Sequence, residues 1–314
     1  MHRVGYLLTD GFQVMALATQ AIFEFANMEA GKPVYQIQNF SESGGTVQSS
    51  LGMHIETLAL SAPELADSWI IAGTHTPLTP PSHKVLSSVQ SFAQSARRIA
   101  GICTGAFVLA QAGVLDNRRA TTHWAYAKTL QSLHPSIEVE EDRIFIVDGP
   151  IWTSAGMTAG LDMALGMVEK DLGTELARAV AHKLVMHQRR SGGQSQHSEL
   201  LAMSPKSDRV QGALDYARKH LKRALTVEEL ATVAHLSPRQ FTRVFTAETG
   251  QSPAKAVESL RLEAARLLIE QSLHSLDTVA RETGFRDRRH LRTAFIRGYG
   301  IPPQAVRRDA RRVR

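Results

Sequence analysis

Along the first 190 or so residues, short apolar runs alternate with stretches whose apolar positions recur at helical spacing. VGYLL (4–8), VYQIQNF (34–40), Trp69 to Ala72 and RRIAGI (97–102) read as strands. Val14 to Ala30, Val85 to Ser95 and Thr104 to Ala112 read as helices. Beyond them come a short strand at Ala120 to Thr122, a helix at Trp124 to His134, a hairpin-like IEVEEDRIFIVDGPIWTS, and helices at Gly160 to Lys170 and Glu175 to His187. Such alternation predicts βαβ units around a mostly parallel, doubly wound sheet. The following RRSGGQSQHSELLAMSPKSD is polar and rich in Gly and Ser, as a tether is. The expected layout is therefore an α/β domain over 1–190, a linker over 191–207 and a second domain over 208–314.

From Asp208 onward the pattern is helical, and it repeats. At an offset of 50, FTRVFTAETGQSPAKAV (241–257) falls on LRTAFIRGYGIPPQAVR (291–307), pairing Phe245 with Phe295, Gly250 with Gly300 and Pro253 with Pro303. Upstream the offset is 49, with Leu230 and Ala231 on Val279 and Ala280, so one copy has an extra residue before its second helix. Each copy reads as a helix (Val227 to Ala234; Leu276 to Thr283), a tight turn, and a second helix (Pro238 to Thr249; Asp287 to Tyr299). Leu230, Val233, Leu236, Phe241 and Phe245 would pack the first pair together. Pro253 to Gln271 would be one long helix between the copies. This is helix-turn-helix construction, in which the second helix offers its N-terminal turns to a DNA major groove.

Composition and charge narrow the picture. The chain has 314 residues, 43% hydrophobic and 21% charged with 12 Pro, which fits packed domains and excludes disorder, collagen and coiled coil. A single cysteine, Cys103, excludes an intrachain disulfide and a thiolate zinc cluster. No apolar run is long enough for a membrane span, and the first residues lack a signal-peptide core, so the expected location is the cytoplasm. The net charge of +6 is unevenly spread: residues 205–314 hold 22 Lys and Arg against 12 Asp and Glu, a net of +10, which leaves −4 for the rest. A basic helical domain on a mildly acidic body points to a polyanion partner.

Candidate base-reading positions on the second helices are Ser237, Arg239, Gln240, Thr242 and Arg243 in copy one, and Arg288, Arg289, His290, Arg292 and Thr293 in copy two. Arg can bond guanine in bidentate fashion and Gln can read adenine, whereas Lys222, Arg223, Arg297 and the terminal RRDARRVR suit phosphates. Residues 208–308 resemble the AraC/XylS family of transcription activators. The resemblance is carried by LTVEELATVAHLSPRQFTRVFTAETGQSPAKAVESLRLEAARLLIE and LDTVARETGFRDRRHLRTAFIRGYGIPPQAVRR. It implies that two recognition helices enter successive major-groove segments of an operator, with RNA polymerase as a further partner.

In the first domain, Gly101-Ile102-Cys103-Thr104-Gly105 reads strand, sharp turn, helix. Such a turn would lift Cys103 above the sheet at a helix N-terminus, where the dipole favours a thiolate; the other reading is a small buried cysteine that packs like Ala. Taken with Ala120-Thr121-Thr122-His123-Trp124 and DRIFIVDGPIWTSAGMTAGLDMALGMVE, it resembles the PfpI-like branch of the class I glutamine-amidotransferase-like superfamily over residues 3–190. With the C-terminal match, the whole chain is similar to GlxA-family transcriptional regulators, which implies a flavodoxin-like α/β domain fused to an all-α double helix-turn-helix domain.

By this resemblance Cys103 stands at the nucleophile elbow with His123 near it. Hydrolytic members carry a His directly after the Cys, where this chain has Thr104, and a carboxylate that falls here at Ala16. Both departures disfavour catalysis. Cys103, Thr104, His123, Asp10, His75 and Trp124 are then expected to line a ligand cleft at the carboxyl ends of the strands. Asp10 either replaces the lost carboxylate or caps its loop. His75 either lines the cleft or stays in an exposed loop, and Trp124 either stacks on a ligand or closes the core. The expected protein is a non-enzymatic, homodimeric regulator that senses a small metabolite, with no cofactor or metal implied. The alternatives are a cysteine-dependent amidase with a DNA-tethering domain, and an α/β domain that is only a dimerisation scaffold.

Overall fold

The computed structural model describes residues 1–313 except 62–64, 187–189, 191, 193–195, 197–202, 204 and 206; the side chains of 271 and 309–313 also lie outside the description. Two compact units divide the chain, Met1–Gln196 and His197–Arg314.

In the first unit the order is β1 (His2–Leu7), a 3-10 turn (Val14–Thr19), α1 (Gln20–Ala30), β2 (Tyr35–Ser41), β3 (Gly45–Gln48), β4 (His54–Ala59), β5 (Ser68–Ile71), α2 (His83–Ser95), β6 (Arg98–Ile102) and α3 (Gly105–Gln111). Then follow β7 (Arg119–Ala120), α4 (Trp124–Leu133), β8 (Glu138–Val139), β9 (Phe145–Asp148), β10 (Ile151–Ser154), α5 (Met157–Leu172) and α6 (Thr174–Lys183). Eight strands form one sheet in the order β3-β4-β2-β1-β5-β6-β10-β9, and β7 pairs with β8 apart from it. The neighbours from β4 to β10 in that order run parallel; β3 and β9 close the two edges antiparallel.

Strand alternation sorts side chains to two faces. Val4, Tyr6, Ile70, Ala100 and Ile102 pack with Ile22 and Phe23 of α1 and Met163 and Leu165 of α5. Leu7, Trp69, Ile71 and Ile99 pack with Val89 and Phe92 of α2 and Phe107 of α3, and the Trp69 and Phe92 rings stack 3.9 Å apart. Two expectations shift. The helix expected from Val14 begins as a 3-10 turn. The expected strand Ala120 to Thr122 is a two-residue bridge, after which Thr121 and Thr122 turn into the α4 cap. The edge hairpin β3–β4 was not foreseen, because its burial alternation is weak. The helix expected to end at His187 is described to Lys183, and His187 lies outside the described residues.

The second unit comprises α7 (Asp208–Lys219), α8 (Val227–Val233), α9 (Pro238–Thr249), α10 (Pro253–Gln271), α11 (Leu276–Glu282), α12 (Arg288–Tyr299) and α13 (Pro303–Val313). Ser207, Thr226, Ser237, Ser252, Ser275 and Asp287 each cap a helix by accepting a backbone N–H. Such caps are why helix starts in this half were legible in the sequence. α10 serves two cores: Ala256, Val257 and Leu260 join Leu230, Phe241 and Phe245, while Leu262, Ala265 and Ile269 join Val279, Leu291 and Phe295. Leu236 packs at the edge of the first core, and Val233 is only half-buried.

Candidate functional site

The two helix-turn-helix copies turn in the same way. His235 (φ 54°) and Gly284 (φ 78°) take the left-handed conformation, and the next N–H reaches back five residues at 2.9 Å: Leu236 to Ala231 O, Phe285 to Ala280 O. The extra residue of copy two is Arg286, inserted before the Asp287 cap. Gly284 is required for a second reason, since a Cβ there would lie 1.9 Å from Leu221 O.

The faces of α9 and α12 carry Arg239, Thr242, Arg243, Arg288, Arg289, Arg292 and Thr293, all exposed. Thr242 and Thr293 donate their hydroxyls to Pro238 O and Arg289 O, at 2.9 and 3.0 Å. Ser237, Gln240 and His290, expected among the base readers, are engaged here in helix-start hydrogen bonds. Ser237 and Gln240 form a reciprocal capping box: Gln240 Oε1 accepts Ser237 N–H at 3.2 Å, and Ser237 Oγ accepts Gln240 N–H at 3.4 Å. At the equivalent register in copy two, His290 donates its N–H to Asp287 at 2.7 Å, and its Nδ1 accepts Arg286 N–H at 3.4 Å. These three shape the start of the reading helices.

Three expected phosphate contacts are also occupied, Lys222 by Glu282, Arg223 by Glu229 and Arg297 by Glu258. Each is an exposed pair that DNA phosphate would have to displace. The side chains of the terminal RRDARRVR beyond Arg308 lie outside the described residues.

In the α/β unit, Cys103 follows β6 with φ 54°, an uncommon conformation for a side-chain-bearing residue and the geometry of a nucleophile elbow. Its N–H donates to Ser154 O at 3.0 Å, and its carbonyl accepts the Thr122 hydroxyl at 2.8 Å. Gly105 lets the turn close, since a Cβ there would lie 2.3 Å from Ile71 O. The side chain does not project freely, however: Cys103 is 4% exposed. Burial pushes the thiol up to about 11 against the opposing pull of the Thr104 N–H and hydroxyl. Of the two readings of this cysteine, burial favours the small buried one: desolvation outweighs those neutral hydrogen bonds.

The Thr104 hydroxyl is engaged within the fold. Its Oγ1 donates to Thr74 O at 2.7 Å and accepts Thr74 N–H at 2.9 Å, locking the elbow to the loop after β5. His123 caps α4, its Nδ1 accepting Ala125 N–H at 3.2 Å, and its ring lies 5.4 Å from that of Trp124, which is 54% exposed. Asp10 is exposed and accepts Gln48 N–H at 3.4 Å, as a loop cap does, while His75 is an exposed loop residue. Sequence reasoning missed Thr121 and Thr122, fully buried just before His123 in the chain, and Ser154, whose hydroxyl is buried without a partner among the described residues. Among the described residues no group of three or more His, Cys, Asp or Glu is placed to hold a metal ion, and no helix is long and apolar enough to cross a membrane.

Comparison with known proteins agrees with this division. Residues 2–170 match the DJ-1/PfpI family and residues 230–309 match a helix-turn-helix domain. The chain is 34% identical to the HTH-type transcriptional regulator GlxA of Rhizobium meliloti (strain 1021), over 98% of this chain and 96% of that one. It is 41% identical over 101 residues to an isonitrile hydratase of Pseudomonas putida, covering 32% of this chain and 43% of that protein. A crystal structure of an AraC family transcriptional regulator from Pseudomonas putida superposes with a TM-score of 0.53 at 24% identity, over 59% of this chain and 100% of that one, which is a likeness of fold. With a family match over more than half its length and a regulator alike from end to end, the chain belongs to the DJ-1/PfpI family, in the branch of HTH-type transcriptional regulators that includes GlxA.

Proposed function

We propose that this protein is a sequence-specific, double-stranded-DNA-binding transcriptional regulator of AraC type, whose α/β domain is a non-catalytic sensor of a small metabolite. The observation that carries the DNA reading is the duplication itself. Two bihelical units of one construction share α10 as a common core element, and each turns an Arg-bearing face of its second helix to solvent. Rigidly spaced reader helices suit consecutive major-groove segments on one face of a duplex. Arg239, Arg243, Arg288, Arg289 and Arg292 are the direct readers, and the terminal arginines neutralise phosphate. The test is selection of binding sites from a randomised duplex pool with the full chain, followed by footprinting on the selected duplex. Enrichment of a defined sequence and a protected stretch are expected; retention of all sequences alike, with a salt slope but no footprint, sinks the reading.

A sensing role is supported by the elbow. A neutral buried thiol without a charged base acting on it is poorly made for nucleophilic attack, yet the strained turn remains, and Ser154, whose carbonyl accepts the Cys103 N–H, has a hydroxyl without a partner among the described residues. The effector would bias the DNA-binding unit and its contact with RNA polymerase. Self-association through the α/β unit is supported by apolar side chains on and beside the β3–β4 edge, with Leu51 73%, Met53 51% and Leu58 51% exposed. A metabolite panel scored by thermal shift tests the sensor, and uniformly unmoved melting would leave a scaffold.

The hydratase similarity favours one competing reading, a cysteine-dependent enzyme. Cys103→Ala decides between them: an enzyme loses turnover of an isonitrile or amide substrate, whereas a regulator keeps its affinity for the selected duplex and shows no turnover to lose.

A further inference from the structure

At the end of the sheet away from the elbow, a cavity of about 390 Å³ opens among the starts of β1, β2 and β6, the loop joining α1 to β2, and the C-terminal end of α5. Arg97, on its wall, and Cys103 stand on either side of β6, so about 20 Å of extended chain separates the cavity from the elbow.

The charges around this cavity do not balance. Asp171 is the one carboxylate among the described residues that line it, and three groups share its two oxygens. Oδ1 meets both guanidiniums, Arg97 at 2.7 Å and Arg98, while Oδ2 accepts the Tyr35 hydroxyl at 2.9 Å. Burial pushes the Tyr35 phenol up, so it stays a donor. Burial also holds His2 below the ordinary imidazole range against the pull of Asp171, which leaves that ring neutral near pH 7. Asp67, the other carboxylate acting on His2, is taken by Arg3 at 3.1 Å.

Against Asp171 stand Arg98, buried 5.6 Å from the centre of the Trp152 ring, the half-exposed Arg97 and the exposed Lys32. Among the described residues the Arg97 guanidinium has no ion pair or side-chain hydrogen bond besides Asp171, and Lys32 has none at all. Holding α5 to β6 needs one arginine. The second arginine and the lysine are surplus to that task, and the surplus includes a planar fork with N–H donors to spare.

The walls select among anions. Pro33, Val34 and Leu172 give the cavity an apolar side, and its volume lies near the lower end of the range for small-molecule sites, about 300–1,000 Å³. A carboxylate can face Arg97 in bidentate fashion while a short hydrocarbon body covers the apolar wall. Inorganic phosphate would leave that wall uncovered. We propose that this cavity is a second small-molecule site of the α/β unit, one that takes a short-chain organic carboxylate through Arg97 and Lys32. It does not rest on a metabolite binding at the elbow.

The test uses the full chain with hexanoate, and hexanamide as its uncharged counterpart, at constant ionic strength. Tryptophan fluorescence follows binding, since Arg98 lies over Trp152. Hexanoate should bind with a Kd of about 1 mM or tighter, within reach of a ligand of about eight non-hydrogen atoms, and at least about tenfold more tightly than hexanamide. Arg97→Gln leaves Arg98 on Asp171, and Lys32→Gln removes a side chain that holds nothing in the fold; each should weaken hexanoate at least about fivefold. Should Arg97→Gln fail to fold, Lys32→Gln decides. Hydrogen exchange should slow on binding in peptides covering 32–36 and 96–99 and stay unchanged in 103–107. A Kd above about 1 mM, equal binding of hexanamide, or an unchanged Kd in Lys32→Gln overturns the proposal. Inorganic phosphate binding as tightly as hexanoate would leave an unselective cationic patch and also overturns it. Protection confined to 103–107 would put the ligand at the elbow and overturn this second site.

Discussion

Gly284→Ala and Gly300→Ala impose the same backbone strain and differ in a single contact, which makes them a measure of how the two helix-turn-helix copies are joined. Both glycines are left-handed, at φ 78° and 70°, so each alanine costs about 1–2 kcal/mol in conformation. Around Gly300 a Cβ would meet nothing within 4 Å, and the cost should stop there. At Gly284 the Cβ would lie 1.9 Å from Leu221 O and 2.8 Å from Arg261 Nε, so the backbone carbonyl would have to retreat by about an ångström. That carbonyl accepts Arg261 Nε at 3.2 Å, and loss of a hydrogen bond to a charged group adds about 1.5–3 kcal/mol. The expected totals are therefore about 1–2 kcal/mol for Gly300→Ala and about 2.5–5 kcal/mol for Gly284→Ala. At a urea slope of about 2 kcal/mol/M, the midpoints fall by about 0.5–1 M and about 1.3–2.5 M. The three tryptophans, Trp69, Trp124 and Trp152, all lie in the α/β unit, so tryptophan fluorescence reports that unit, while circular dichroism at helical wavelengths also follows the C-terminal unit. Only the latter transition should move. Equal shifts for the two variants within about 0.5 kcal/mol, or a matching shift in the tryptophan transition, would refute the packing argument.

Other perturbations address the two sites. Thr104→Val removes one hydroxyl that satisfies both the N–H and the carbonyl of Thr74; the tryptophan-monitored transition should lose about 2–4 kcal/mol, and an unchanged midpoint would mean that solvent replaces the bonds. Because burial raises the Cys103 thiol to about 11, its alkylation by iodoacetamide should keep accelerating about tenfold per pH unit through pH 9 to 10; a plateau near pH 8.5 would contradict the burial. The same shift works on stability with a defined sign. The folded thiol holds its proton above the pH at which the unfolded one releases it, so its contribution is intact below the ordinary thiol range and drains as pH climbs towards about 11. Cys103→Ala should flatten that alkaline loss. On DNA, Arg239→Ala or Arg292→Ala should cost about 1–3 kcal/mol and relax preference at particular bases, whereas removing Arg311 and Arg312 should weaken all sequences alike and flatten the salt dependence. Indistinguishable profiles for the two classes would show that the division of contacts is wrong.

The amino-acid sequence by itself determined what depends on neighbours a few residues away. Ser237 followed by Pro238, and Ser252 followed by Pro253, announce helix starts through local hydrogen bonding and fixed φ, and α9 and α10 lie where the pattern puts them. The 50-residue repeat and the charge asymmetry likewise need no partner from elsewhere in the chain, and they carried the DNA-binding reading. Hydrogen-bond partners remote in sequence belong to the tertiary structure alone. Thr104 is spent on Thr74, 30 residues away, and Gln196 on Thr122, 74 residues away. Lys222 pairs with Glu282 only because Gly284 brings the second turn against Leu221. Cys103 shows the limit most clearly: a G-x-C-x-G turn fixes the bend of the backbone, whereas the protonation of the thiol depends on how much protein closes over it, and that is a property of the folded sheet and its flanking helices.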